Sequence, residues 1–161
     1  MIKAWTLLGG LIFWLAWPFW WMYFKRSPNR TRVIITDNTG RVLLVKGWLG
    51  DSSWGLPGGG VKRGESIKAS ACREIKEETG IEINQSDLIT VGDIKHSEHG
   101  LTYQAHFLKI SLINAAEPTR SGIEIVSCDW FNDQQLKTTK LNKDARYGLE
   151  NFLNDRRVKL A

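Results

Sequence analysis

Cysteine occurs only twice in the 161 residues, as Cys72 and Cys128, far apart and without CxxC spacing. That argues against a disulfide framework and for two reduced, buried thiols. Histidine is nearly as scarce: His96, His99 and His106. His96 and His99 fall in residues 95–100, which read as a solvated polar loop, and two loop histidines without further ligands do not make a zinc site. Charge is missing altogether from residues 4–24. Internal repeats are absent, as is low-complexity sequence beyond the tryptophan-rich start.

The length fits one domain with at most an appendage, and 42% hydrophobic residues suffice for a core. The net charge is only +5. This mild excess suits a phosphate-bearing substrate without demanding a nucleic acid, and ordinary surface lysines would produce it equally well. Nothing in the composition bears on oligomeric state.

The uncharged run at residues 4–24 carries Trp5, Trp14, Trp17, Trp20 and Trp21, with Tyr23 near its end. At ~1.5 Å per residue a helix of this length spans the hydrocarbon core of a bilayer. Aromatic residues at its end suit the interface, and Pro18 is tolerated in such a span. A secretory signal peptide is a rival reading, but only Lys3 precedes the run and no small-residue cleavage pattern follows it. A buried helix is a third reading, at odds with five tryptophans and no polar face. The favoured expectation is a membrane anchor over residues 1–24, then a basic linker over residues 25–30 with Lys25, Arg26 and Arg30. The catalytic domain would occupy residues 31–156 and a short tail residues 157–161. Basic residues after the span place the domain on the cytoplasmic side.

Residues 32–36 and 41–46 form two β-branched or aliphatic runs around the turn sequence Asp37-Asn-Thr-Gly40, which predicts a hairpin. Residues 87–95, 102–113 and 123–131 read as further strands. Residues 144–154 carry Ala145, Leu149, Phe152 and Leu153 at helical spacing, a second helix that should pack on the sheet.

Residues 59–81 carry the chemistry. A glycine-rich segment, Trp54-Gly-Leu-Pro-Gly-Gly-Gly60, leads into a helix with Ser66 as N-cap and Gly80 as stop. Ile67, Ala71 and Ile75 give that helix an apolar stripe. Glu74, Glu77 and Glu78 fall on one face, because positions three and four apart on a helix are neighbours. Carboxylates that close need a counter-charge, which a hard divalent ion bound through oxygen supplies. Arg73, four residues before Glu77, is placed to hold that carboxylate.

Gly59, Glu65, Arg73, Glu74, Ile75, Glu77, Glu78, Gly80 and Ile81 fill every fixed position of the Nudix box, so the chain resembles the Nudix hydrolase family. The motif itself covers 23 residues, 59–81. The resemblance implies an α/β/α sandwich with a mixed β-sheet, here preceded by the expected transmembrane helix. It also implies Mg²⁺-dependent hydrolysis, with Mn²⁺ as an alternative ion, of a nucleoside diphosphate linked to a moiety X by metal-activated water. The carbonyl of Gly58 and the carboxylates of Glu74, Glu77 and Glu78 are the implied metal ligands, with Glu65 supporting the loop or a second ion. The implied base is a box glutamate or Glu124, which precedes the last predicted strand; Glu117 rivals Glu124, and Glu98 is a further candidate. Lys46, at a strand end, is placed to reach a phosphate, while Trp48 and Trp54 are candidate stacking surfaces for a base.

X stays open. Position 96 is His where ADP-ribose enzymes of the family carry proline, position 98 is Glu where dinucleoside-polyphosphate enzymes carry tyrosine, and the coenzyme A pattern is missing. A catalytically silent nucleotide-binding module at a membrane is the alternative, against which the complete carboxylate set argues.

Overall fold

The first two strands, β1 (Asn29–Asp37) and β2 (Val42–Gly47), are joined by the expected turn. Asp37 organises it: Oδ1 accepts the Thr39 and Arg41 amides at 2.9 and 2.8 Å, and Oδ2 accepts Arg41 Nε at 2.7 Å. An aspartate that bonds its own downstream backbone in this way stabilises a turn directly. The strands register at Thr36–Val42 and then part. Residues 54–60 wedge between them: Gly55 exchanges both backbone bonds with Val45, and the Pro57 and Gly59 carbonyls accept from Val33 and Thr31, each at 2.9 Å. The glycine-rich segment is therefore held to strands on both sides.

The structure, a computed structural model, describes residues 28–48, 52–98, 101–113, 115–119 and 125–153. The expected membrane span at residues 1–24, linker residues 25–27 and the tail at 157–161 lie outside them. Among the described residues no helix is long and apolar enough to cross a membrane.

Helix α1 (Ile67–Thr79) begins and ends where the sequence says it should. Ser66 Oγ accepts the Ala69 amide at 3.1 Å. Gly80 takes a left-handed conformation, φ 71°, and returns its N–H to Lys76, a role for which a residue without Cβ is favoured. Strands β3 (Ile89–Glu98), β4 (Leu101–Leu112) and β5 (Ile125–Phe131) follow, then helices α2 (Asp133–Thr138) and α3 (Lys143–Phe152). The sheet order is β3-β4-β1-β2-β5. β1 and β4 run parallel and the other neighbours antiparallel, so the sheet is mixed.

Both faces of the sheet are covered. On one, Ala71 and Ile75 of α1 pack on Val33, Ile35, Leu43, Leu108, Ile110 and Trp130. On the other, Leu136 of α2 and Ala145 and Leu149 of α3 pack on Ile34, Val42, Leu44 and Phe107. Alternation along β1 and β2 assigns odd and even positions to opposite faces, and the result is the expected α/β/α sandwich.

Three sequence expectations need correction. The polar loop predicted at 95–100 is largely strand, because β3 and β4 stay paired through His96–Tyr103, Ser97–Thr102 and Glu98–Leu101. Helix α2 was not anticipated; it is short and is fixed by a capping box in which Asn132 Oδ1 accepts the Gln135 amide and Gln135 Oε1 accepts the Asn132 amide. The second predicted helix starts at Lys143, one residue early, capped by Asn142.

Candidate active site

Where β1 and β2 part, the glycine wedge meets α1. Gly58 sits at this junction. Its φ is +136°, and a Cβ there would collide with the Thr31 carbonyl, so the position requires glycine. Its N–H donates to Glu78 Oε2 at 2.8 Å. Its carbonyl accepts from Arg32 Nη1 at 3.0 Å. Gly59 is tight for another reason: a Cβ on it would lie 2.5 Å from the Glu74 carboxyl carbon. The glycines thus make the space in which two box glutamates lie against the loop backbone.

Arg73 gathers the remaining carboxylates. Its Nε and Nη2 donate to Glu65 at 2.8 and 2.9 Å, its Nη1 to Glu74 at 2.7 Å and to Glu77 at 3.1 Å, and Nη2 also reaches the Gly60 carbonyl at 3.0 Å. The expected Arg73–Glu77 contact is present, but Glu65 and Glu74 are the closer partners. A planar guanidinium has the donors for such multiple engagement. The hydrogen bond from Arg73, working against partial burial, holds the Glu65 carboxyl down at about 2. Burial pushes the Glu74 carboxyl up, more than the neighbouring guanidinium pulls it down. Glu77 is the outermost of the set, its side chain 55% exposed.

Among the described residues no three His, Cys, Asp or Glu side chains converge as a ready-made ligand set. Glu74 and Glu77 turn to Arg73, and Glu78 turns to the Gly58 amide. The donors gathered here, carboxylates and a backbone carbonyl, are nonetheless all hard oxygens, the ligand type that Mg²⁺ and Mn²⁺ take. Glu124 lies outside the described residues, as does His99. Glu117 is described and exposed.

Lys46 and Trp54 come together on the opposite face of the sheet from α1. Lys46 Nζ sits 5.9 Å from the Trp54 ring centroid. Trp54 packs edge-on against Phe131 at 4.7 Å, so it is part of the packing on this face. Trp48 is 60% exposed at the end of β2. Cys128, in β5, is half-buried, and its thiol is pushed up by burial and then by the charges of Asp129 and Glu78, which keeps it protonated beside the box helix.

The sequence reading missed a second cluster on this face. Arg32 Nε pairs with Asp144 Oδ2 at 2.7 Å. Tyr103 donates to both Asp144 oxygens, at 3.2 and 3.4 Å. Burial, and then the charge of Asp144, push the Tyr103 phenol up to about 12, so it remains a donor. His96 stacks on Tyr103 and brings Nε2 within 3.2 Å of Asp144 Oδ1, an ion pair when the ring is protonated. These residues come from β1, β3, β4 and α3. A sequence signal existed only in the alternation of β1, which puts Arg32 on the same face as buried Ile34.

Residues 26–152 match the NUDIX domain. The mRNA decapping complex subunit 2 of Schizosaccharomyces pombe is 30% identical over 125 residues, which are 75% of this chain and 16% of that protein. An RNA pyrophosphohydrolase of Teredinibacter turnerae is 34% identical over 64 residues, 40% of this chain and 37% of that one. The chain thus spans well under half the length of these relatives. The crystal structure of a MutT NUDIX hydrolase from Burkholderia pseudomallei superposes with a TM-score of 0.68 at 26% identity, covering 77% of this chain and 96% of that one. The domain match extends over well more than half of the chain, and the chain belongs to the NUDIX family.

Proposed function

We propose that this protein is a divalent-cation-dependent pyrophosphohydrolase acting on a nucleoside diphosphate linked to a further group X. Water attacks phosphorus, the phosphoanhydride P–O bond breaks, and the proton passes to a carboxylate. The observation that carries this reading is the docking of Glu78 on the Gly58 amide beside the Arg73-held Glu74. It brings Glu78 and Glu74 against the loop that carries the Gly58 carbonyl.

Glu74, Glu78 and the Gly58 carbonyl would hold the cation, with Glu77 as a further ligand or an outer partner. A divalent cation held by these residues would lower the pKa of a water and offset the charge of the diphosphate. Arg73 keeps the carboxylates from turning away and, through Glu65, ties the loop to the helix. A box glutamate or Glu124 takes the proton. Lys46 meets a substrate phosphate, and Trp48 offers its exposed ring to a base.

Nucleoside triphosphates, nucleotide sugars and capped RNA ends are the candidate substrates, and relatives that carry the names mRNA decapping complex subunit and RNA pyrophosphohydrolase support the RNA ends. The test is a panel of these substrates, capped and triphosphorylated RNA included, incubated with the purified chain and Mg²⁺ or Mn²⁺. Metal-dependent cleavage of any of them supports the reading. Nucleotide binding without cleavage across the whole panel favours the silent module instead.

We further propose that residues 1–24 tether the domain to a membrane with its catalytic part on the cytoplasmic side. The support is the uncharged tryptophan-rich run and the basic residues after it. Protease protection of the domain in sealed inverted vesicles would contradict this orientation.

A further inference from the structure

Arg32 and Asp144 are both largely buried, with side-chain exposures of 11% and 5%. Buried charges persist only when paired and hydrogen-bonded. This pair is: Asp144 takes Arg32 Nε and the Tyr103 hydroxyl, and it lies in the first turn of α3, where the helix dipole favours an anion. The guanidinium has a second task. Arg32 Nη1 donates at 3.0 Å to both the Thr31 and Gly58 carbonyls. One side chain therefore connects the start of α3 to the carbonyl of the loop residue whose N–H holds Glu78.

Gly58 is held on both sides of its Cα: Glu78 accepts the N–H of the peptide that enters it, and Arg32 donates to the carbonyl of the peptide that leaves it. A carbonyl oxygen has two lone pairs. The Arg32 bond occupies one and fixes the plane of the Gly58–Gly59 peptide, leaving the other for a cation. Lysine cannot reproduce this, because a single ammonium lacks the fork that serves Asp144 and Gly58 at once.

We propose that Arg32, held by Asp144 and Tyr103, is a positioning residue that sets the Gly58 carbonyl for cation binding. This rests on the reading of the box as a cation-binding element. Groups that orient metal ligands from behind typically change metal affinity by about 10- to 100-fold when removed.

The test is direct Mn²⁺ affinity, by electron paramagnetic resonance on the whole chain without substrate, for wild type, Arg32→Lys, Asp144→Asn and Tyr103→Phe. Thermal melts run in parallel, and each variant is measured well below its own melting temperature. Arg32→Lys and Asp144→Asn should each weaken Mn²⁺ by ~10-fold or more, and Tyr103→Phe by less. In turnover, the Mg²⁺ requirement should rise while KM for nucleotide at saturating metal stays put. Wild-type Mn²⁺ affinity in folded Arg32→Lys and Asp144→Asn overturns the positioning role, as does a loss that merely tracks the unfolded fraction. If those two variants prove too unstable, Tyr103→Phe decides: it must weaken Mn²⁺ measurably. A wild-type chain that binds no Mn²⁺ and cleaves nothing overturns the proposed function itself, and this role with it.

Discussion

The Gly58 amide donates to Glu78 Oε2 across 2.8 Å, joining the loop to the box helix over twenty residues of sequence. Substituting Glu78 by Gln keeps an oxygen acceptor for that amide and removes the charge. The fold should survive with a small change in melting temperature. Turnover should fall by roughly three orders of magnitude, equivalent to about 4 kcal/mol of lost transition-state stabilisation. Near-normal turnover in a folded Glu78→Gln protein would sink the assignment of Glu78.

Gly58→Ala and Gly59→Ala should part company. At Gly58 the new methyl meets the Thr31 backbone, and φ of +136° is itself unfavourable. Strain of this kind costs about 1–3 kcal/mol before any clash is counted, so chemical denaturation should show a clear loss of stability. At Gly59 the methyl meets only the end of the Glu74 side chain, which can move aside by giving up its Arg73 ion pair. That variant should lose less stability than Gly58→Ala yet lose activity, because Glu74 leaves its place. Equal stability losses in the two would contradict this account.

Much of this site is legible in the sequence because its geometry is local. Ser66, Glu65, Arg73, Glu74 and Gly80 lie within one loop and one helix, where spacing alone determines which side chains meet. The same holds for the Asp37–Arg41 turn. Gly58–Glu78 is less local, and the Arg32–Asp144 pair spans 112 positions. Such a contact depends on β1 lying next to the start of α3, which no residue pattern in either segment encodes. His96 was misread for a related reason: Lys95-His-Ser-Glu-His-Gly is polar enough for a loop, but cross-strand pairing with residues 101–104 outweighs local composition.

Acid should reveal the Arg73–Glu65 pair. The folded Glu65 carboxyl is held at about 2, against a reference value of 4.5, chiefly by the Arg73 hydrogen bond. A depressed carboxylate contributes stability that is complete above the reference value and is lost as pH falls toward the folded one. Glu65→Gln should therefore melt below wild type near neutral pH, and the two curves should converge between about pH 4.5 and 2. A gap that persists undiminished at the acid end would mean that Glu65 acts through packing and not through its charge.

Trp48 separates binding from stability. Its ring is 60% exposed, so Trp48→Ala should leave the melting temperature almost unchanged, within about 0.5 kcal/mol of wild type. Stacking of a base on an aromatic ring is worth about 1–3 kcal/mol. KM for a nucleotide substrate should then rise by roughly 5- to 150-fold at constant kcat, since stacking remote from the phosphates contributes equally to ground and transition states. Trp54, packed edge-on against Phe131, should behave differently: Trp54→Ala should lower the melting temperature as well as raise KM. Steady-state kinetics and melts on both variants make the comparison. An unchanged KM in Trp48→Ala would show that the exposed residue has no part in holding the base.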